Sequence, residues 1–379
     1  MIPVMRPWLG PEEQAAVAEV ISSGWVAQGP RVAEFERGFA DRVQAGHGVA
    51  VSSCTTALHL SLVVAGIGPG DEVVVPSLSF IATANVVRHA GADPVFADID
   101  PATGNLTAKT IEAVLSPRTR AVILVHQAGV PADVDEVRTA HPGLTIVEDA
   151  ACAAGSFYKD RPVGADSPLA AWSFHPRKLL TTGEGGMITL ADAEMAARAR
   201  RLREHGMSVS AADRHAGGIT TPEQYLEVGF NYRMTDLQAA VGLVQLGRLD
   251  ELVERRRALA SRYHALLGDI PGLRMVADPD HGRTNYQSFW VALPDDFPLG
   301  RDELMAFLSE HGVSARRGIM AAHLEPAYAD MSDAELPATE WLTANSLILP
   351  LFHTMTEAEQ DHVSEVMHAA AAGRPVRTR

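Results

Sequence analysis

Between residues 48 and 190, short apolar runs alternate with segments of helical period, and this alternation restricts the fold more than any other feature of the chain. GVAVS (48–52) precedes TTALHLSLVVAG, EVVVPS (72–77) precedes FIATANVVRHAG, and PVFADI (94–99) precedes TAKTIEAVL. AVILVH (121–126) leads through ADVDEVRTA to LTIVED (144–149), and LAAWSF (169–174) and GMITL (186–190) read as two more strands. Apolar strands separated by helices predict an α/β fold with a mostly parallel sheet covered on both faces. Ligands of such sheets gather at the carboxyl ends of the strands. Ser52, Ser53, Ser77, Glu148, Asp149 and Ser173 fall at those ends, so a site is expected there.

The flanks are less regular. PEEQAAVAEVISSG (11–24) carries Pro11 as a start signal and Gly24 as a stop, and Val32, Phe35, Phe39 and Val43 recur at helical spacing over 31–45. Residues 207–234 show no clear period and read as a long loop, a length that in compact proteins is functional or disordered. One long helix is expected from about Asp236 to Leu267, with Arg255, Arg256 and Arg257 on a solvated face. Residues 268–367 carry weaker strand and helix signals, and the tail from 369 is expected to fray.

At 379 residues the chain exceeds what one core usually covers, so two domains are expected. A net charge of −15 argues against nucleic acid as a partner, since phosphate binding needs a basic surface. Cys54 and Cys152 make no disulfide framework and lack zinc spacing, so no metal is expected. The N-terminus shows no secretory pattern, and no apolar run is long enough for a bilayer, so a cytoplasmic location without membrane contact is expected.

SFHPRKLLTTGEGG (173–186) places Lys178 just past a strand end, among Thr and Gly that leave space beside it. An amine in a desolvated site can be held partly neutral and attack a carbonyl; an ordinary surface lysine is the alternative. VSSCTTALHL puts hydroxyls at a helix start, which suits a phosphate or a plain N-cap. IVEDAACAAG ends a strand on Asp149, which can pair with a cation or be a satisfied loop acid. Together, in this order, phosphate cradle, carboxylate and lysine match what pyridoxal phosphate (PLP) requires: an anion site, a partner for its ring nitrogen, and an amine for a Schiff base.

Seven blocks carry a family resemblance: GWVAQGPRVAEFE (24–36), VSSCTTALHL (51–60), GDEVVVPSLSFIATANVV (70–87), EDAACAAGSFYKDRPVG (148–164), SFHPRKLLTTGEGGMI (173–188), NYRMTDLQAAVGLVQL (231–246) and LPLFHTMTEAE (349–359). In these the chain resembles the DegT/StrS family of PLP-dependent sugar aminotransferases. The resemblance implies the fold type I architecture. Residues 1–250 would form a large domain with a mostly parallel seven-stranded sheet flanked by helices, and 251–379 a smaller C-terminal α+β domain. It also implies that Lys178 holds PLP, Asp149 pairs with the ring nitrogen and Phe80 stacks on the ring. Thr55 and Thr56, helped by Ser173, would take the phosphate. Asn231 would reach the phosphate from a neighbouring subunit, giving a homodimer with shared active sites.

Two positions depart from the family pattern. Cys152 stands where Gln or His is common, and a thiol is a poor donor toward the cofactor's hydroxyl. Cys54 occupies a place where Gly is common; both are expected as small residues near the cofactor. A branch with histidine in place of the lysine performs dehydration, so Lys178 favours amino transfer. His175 is expected to orient the segment.

The implied reaction is a ping-pong transfer from L-glutamate or L-glutamine to a keto group on a nucleotide-linked sugar. Arg233, Arg316 and Arg317 are candidates for its diphosphate, and His323 and Tyr328 for the sugar nucleotide. A keto-cyclitol acceptor of the inosose type is the alternative, and a PLP-binding regulatory protein without turnover is the alternative of another class.

Overall fold

Strand residues of the alternating region have both faces covered: Val74, Val122, Leu124 and Ile146 enter one core, and Val73, Val75, Ile123 and Val147 enter the other. In the computed structural model, which describes residues 1–209, 222–331 and 334–373, they build a seven-stranded sheet. Its order is His47–Val51, Gly186–Leu190, Ala170–Ser173, Thr145–Asp149, Thr119–Val125, Glu72–Pro76 and Asp93–Ala97. Only Gly186–Leu190 runs antiparallel to its neighbours; the other pairs are parallel. The carboxyl ends at Val51, Pro76, Val125, Asp149 and Ser173 therefore lie along one rim. This is the fold type I arrangement that the resemblance implies.

The helices begin and end as their sequences dictate. Pro11–Ser23 has Pro at its first position and closes on Gly24 in the left-handed conformation, φ 79°. Cys54–Val64 is capped by Ser53, whose Oγ accepts the Thr56 N–H at 3.2 Å. The helix expected from 236 to 267 is instead two, Asp236–Gly247 and Leu249–Leu267, broken at Arg248 (φ −104°, ψ 0°). Gly247 weakens the helix there, and the Arg248 guanidinium pairs with Glu12 and, at 2.9 Å, with Glu13.

The second of these helices corrects the reading of the arginine triplet. Its buried stripe runs Leu249, Leu252, Val253, Arg256, Leu259, Ala260, Tyr263 and Leu267. Arg256 is inside, donating to the carbonyls of Tyr286 (2.7 Å), Leu351 (2.9 Å) and Gln287 (2.7 Å). Arg255 donates to His353 and Met355 carbonyls, and Arg257 forks onto Asp278. The triplet thus fastens loops that no helix or sheet bonds. Arg256→Met should cost about 3 kcal/mol or more, because buried carbonyls lose their donor. Denaturant midpoints at unchanged slope measure it; a loss under about 1 kcal/mol would show that the bonds are dispensable.

Residues of the C-terminal region form a four-stranded sheet, Arg274–Met275, Phe289–Ala292, Ser346–Leu349 and Arg316–Arg317, antiparallel throughout. Helices Leu249–Leu267, Arg301–Glu310 and Glu357–Ala371 accompany it. The N-terminus joins this unit: Ile2 bridges Val313, and Trp8 stacks on His353 at 3.9 Å. Of the expected long loop, 210–221 lie outside the described residues. The rest is partly bridged: Met207 pairs with Tyr225, Glu204 with Asn231 and Val51 with Arg233. The tail is helical to Ala371, and 374–379 lie outside the described residues.

Candidate active site

A cleft of about 500 Å³ opens between the sheet's carboxyl rim and the C-terminal sheet. Lys178, Cys152, Phe80, Gln127, Arg177 and Arg316 are among its lining residues. The Lys178 segment leaves the strand Ala170–Ser173 as a tight turn: the Lys178 N–H donates to His175 O at 2.8 Å, and the Arg177 N–H to His175 Nδ1 at 3.1 Å. His175 thus orients the segment, as expected. Gln287 grips it from the other side, its Oε1 accepting the Leu179 N–H at 3.0 Å and its Nε2 donating to Arg177 O at 2.7 Å.

Lys178 Nζ donates to Cys152 Sγ at 3.0 Å. Burial pushes this amine down, but Cys152, Cys54 and Asp149 pull it up further, and the balance is upward. This direction runs against the expectation of a partly neutral lysine. The reason is that desolvation acts beside sulfur and carboxylate groups and not in an apolar pocket. Of the three lysines in the sequence, Lys109 is exposed and Lys159 is bonded to Asp135. Lys178 alone is in the cleft.

Asp149 lies beneath, 5% exposed. One oxygen accepts the Thr83 hydroxyl and the other the Ala151 N–H, both at 3.1 Å. Burial pushes this carboxyl up, held back in part by the Ala151 N–H, Lys178 and Thr83. A cationic group brought against it would restore the charged form. Burial also pushes the Cys54 thiol well up, and Asp149 adds to the effect, which disfavours the thiolate.

The helix Cys54–Val64 points its start at the same rim. Among the described residues no bond uses the backbone N–H of Cys54 or Thr55, while Thr56 is engaged in the cap. Gly186 presses against this turn: a Cβ there would meet Ser53 O at 2.3 Å. Ser173 is half-buried nearby and accepts the His175 N–H at 3.4 Å. Phe80 offers an exposed ring, 69% accessible, to the cleft. Free amides at a helix start, a buried carboxylate, an amine and an open aromatic face fit the phosphate, ring nitrogen, aldehyde and ring of PLP.

Four other candidates lie elsewhere. His323 is 1% exposed and bonded to Ser77 at 2.6 Å, and the buried Tyr328 donates to Asn85 at 2.9 Å. Both pack beside Phe96 and neither lines the cleft, while Tyr328 borders a second hollow with Asn85 and Arg88. Exposed Asn231 accepts from Arg233 at 3.1 Å, and Arg233 approaches Glu204 at 3.8 Å; neither lines the cleft. The sequence reading did not single out Thr83, Gln127, Gln287 or Asn285. Asn285 holds the carbonyls of Cys152 and Ala154 at 2.9 and 2.8 Å, and requires Gly129, where a Cβ would lie 2.0 Å from its Oδ1. Thr83 had a signal, three residues past Phe80 on the same helical turn.

A profile of the DegT/DnrJ/EryC1/StrS aminotransferase family matches residues 7–368. The chain belongs to this family. An aminotransferase, TlmJ, from Streptoalloteichus hindustanus is 37% identical, with a TM-score of 0.90 over 98% of this chain and 99% of that one. Spr1654 from Streptococcus pneumoniae, solved in PMP and PLP forms, is 26% identical, with a TM-score of 0.92 over 98% of this chain and 100% of that one. The sugar aminotransferase CalS13 from Micromonospora echinospora is 29% identical, with a TM-score of 0.88 over 97% and 100%. This aminotransferase is PLP-dependent. Among its described residues no helix is long and apolar enough to cross a membrane.

Proposed function

We propose that the cleft moves an amino group from L-glutamate, or L-glutamine, to the keto group of a nucleotide-linked sugar in cytoplasmic amino-sugar biosynthesis. The observation that supports this best is Lys178, hydrogen-bonded to Cys152 and near enough to the buried Asp149 for their charges to interact, in a cleft with unpaired guanidinium groups. The sugar aminotransferase named among the similar structures supports the acceptor class.

Bound here, PLP supplies an aldehyde for amine exchange and an electron sink for the charge left when a proton departs. Lys178 Nζ would hold the cofactor and, once an incoming amine has released it, would carry a proton between the substrate's reacting carbon and the cofactor. Asp149 keeps the ring nitrogen protonated, and Thr83 and the Ala151 N–H hold its carboxylate in place. Thr55, Thr56 and Ser173 bind the phosphate with the Cys54 and Thr55 amides. Phe80 covers the ring face and excludes water. Cys152, a weak donor, holds Lys178 in position more than it holds the cofactor's hydroxyl. A partner subunit of a homodimer brings Asn231 and Arg233 to the site, and the chain divides at about residue 250 into a large PLP-binding domain and a small one.

Incubation with glutamate and a panel of nucleotide-linked ketosugars, followed by mass spectrometry, tests this reading. One panel member should gain the mass of the keto-to-amine exchange, with release of 2-oxoglutarate. Amination of inosose alone would replace it with the keto-cyclitol reading. Binding of PLP without any 2-oxoglutarate would point to a regulatory protein.

A further inference from the structure

Cations lining the cleft can be sorted by what already occupies them. Lys178 is committed to Cys152 and the cofactor. Arg256 spends its guanidinium on three carbonyls. Arg317 approaches Glu325 at 3.4 Å. Arg177 and Arg316 remain: both line the cleft, and neither guanidinium has a hydrogen bond or ion pair among the described residues. They come from opposite walls. Arg177 sits on the pinned turn next to Lys178, and Arg316 on the edge strand that pairs with Ile348. Partial desolvation and, second to it, the neighbouring Arg177 push the Arg316 guanidinium down, so an oxyanion placed there would be favoured. In a chain of net charge −15, two such groups facing one cleft await an oxyanion.

We propose that Arg177 and Arg316 form a single oxyanion subsite used in both half-reactions, taking a carboxylate of the amino donor in one and the phosphoryl group of the acceptor in the other. The inference rests on the nucleotide-linked reading above. In a ping-pong cycle both substrates bring their reacting carbon to the same place beside Lys178. Both carry oxyanions, and among the described residues the cleft supplies one unpaired guanidinium pair for them. Arg177, adjacent to the lysine, is then a specificity residue that discriminates charged from neutral substrates.

The test uses holoenzyme and the variants Arg177→Met, Arg316→Met and Arg177→Lys. Two readouts are taken: the glutamate concentration that half-bleaches the cofactor's visible band, and calorimetric binding of thymidine and uridine diphosphate to the aminated form. Each Met variant should raise the glutamate requirement and weaken the tighter nucleoside diphosphate by about tenfold or more, as expected for loss of a charge-assisted bond. Arg177→Lys should recover part of both, since it keeps the charge and loses the fork. Loss of one affinity with the other unchanged would overturn the shared subsite, and loss of neither would overturn the subsite altogether. If wild-type protein binds neither nucleoside diphosphate, the nucleotide-linked reading itself fails, an outcome distinct from tight binding that the variants leave unchanged. Unchanged melting temperatures should accompany the losses, because both side chains are exposed.

Discussion

Lys178→Ala should leave a folded protein that has no visible cofactor band and turns over at least about 10⁴-fold more slowly, since it loses both the covalent anchor and the proton carrier. The size follows from the inventory of amines. Lys109 lies exposed on the short helix Ala108–Glu112, and Lys159 is held by Asp135 at 2.6 Å. Neither can stand in for the one amine of the cleft. The fold should survive because the segment is fixed by backbone bonds and by Gln287, not by the ammonium. Circular dichroism checks the fold, and absorbance with single-turnover kinetics checks the site. Lys159→Ala serves as the control and should keep full activity. Normal turnover by Lys178→Ala would remove the basis of the mechanism.

Asp149→Asn should slow the glutamate half-reaction by about 10²–10³-fold, the scale of losing one preorganised charge in a water-excluded site. The substitution preserves shape. Its amide oxygen can still accept the Ala151 N–H, and its amide N–H can donate to the Thr83 hydroxyl, which turns toward Ser79 at 2.7 Å. Stability should therefore change little while the electrostatics change fully. Burial raises this carboxyl in the chain alone, and a cation brought against it would favour the charged form. Thr83→Val should act in the same direction and more weakly, by freeing one carboxylate oxygen. A half-reaction of wild-type rate in Asp149→Asn would show that the carboxylate faces something other than the ring.

Much of this was legible in the sequence because its signals are local. Apolar runs such as VVV (73–75) and VIL (122–124) have the length and composition of strands buried on both faces. The strand ends then name the rim, and the rim names Asp149 and the Lys178 turn. What failed depends on contacts distant in sequence. Gln287 reaches the lysine turn from 110 residues away on a stretch with little periodicity, and nothing near it announces that role. His323 carries the polarity of a substrate ligand, yet it is buried in the core, where Ser77, 246 residues earlier, bonds its Nδ1. Arg256 is the instructive miss. Its helical position matches the stripe of Leu252, Leu259 and Tyr263, and it was the interspersed acidic residues that argued for a solvated face. Periodicity was the better guide, because three loop carbonyls lay waiting for donors.

The central claim is that one amine, Lys178, carries the cofactor. Borohydride reduction of the purified holoenzyme, followed by peptide mapping, tests it most directly. The pyridoxyl mass should appear stoichiometrically on the peptide containing Lys178, and Lys109 and Lys159 should stay unmodified. A tag on either of those lysines, or no tag on a protein that retains its yellow colour, would contradict the account.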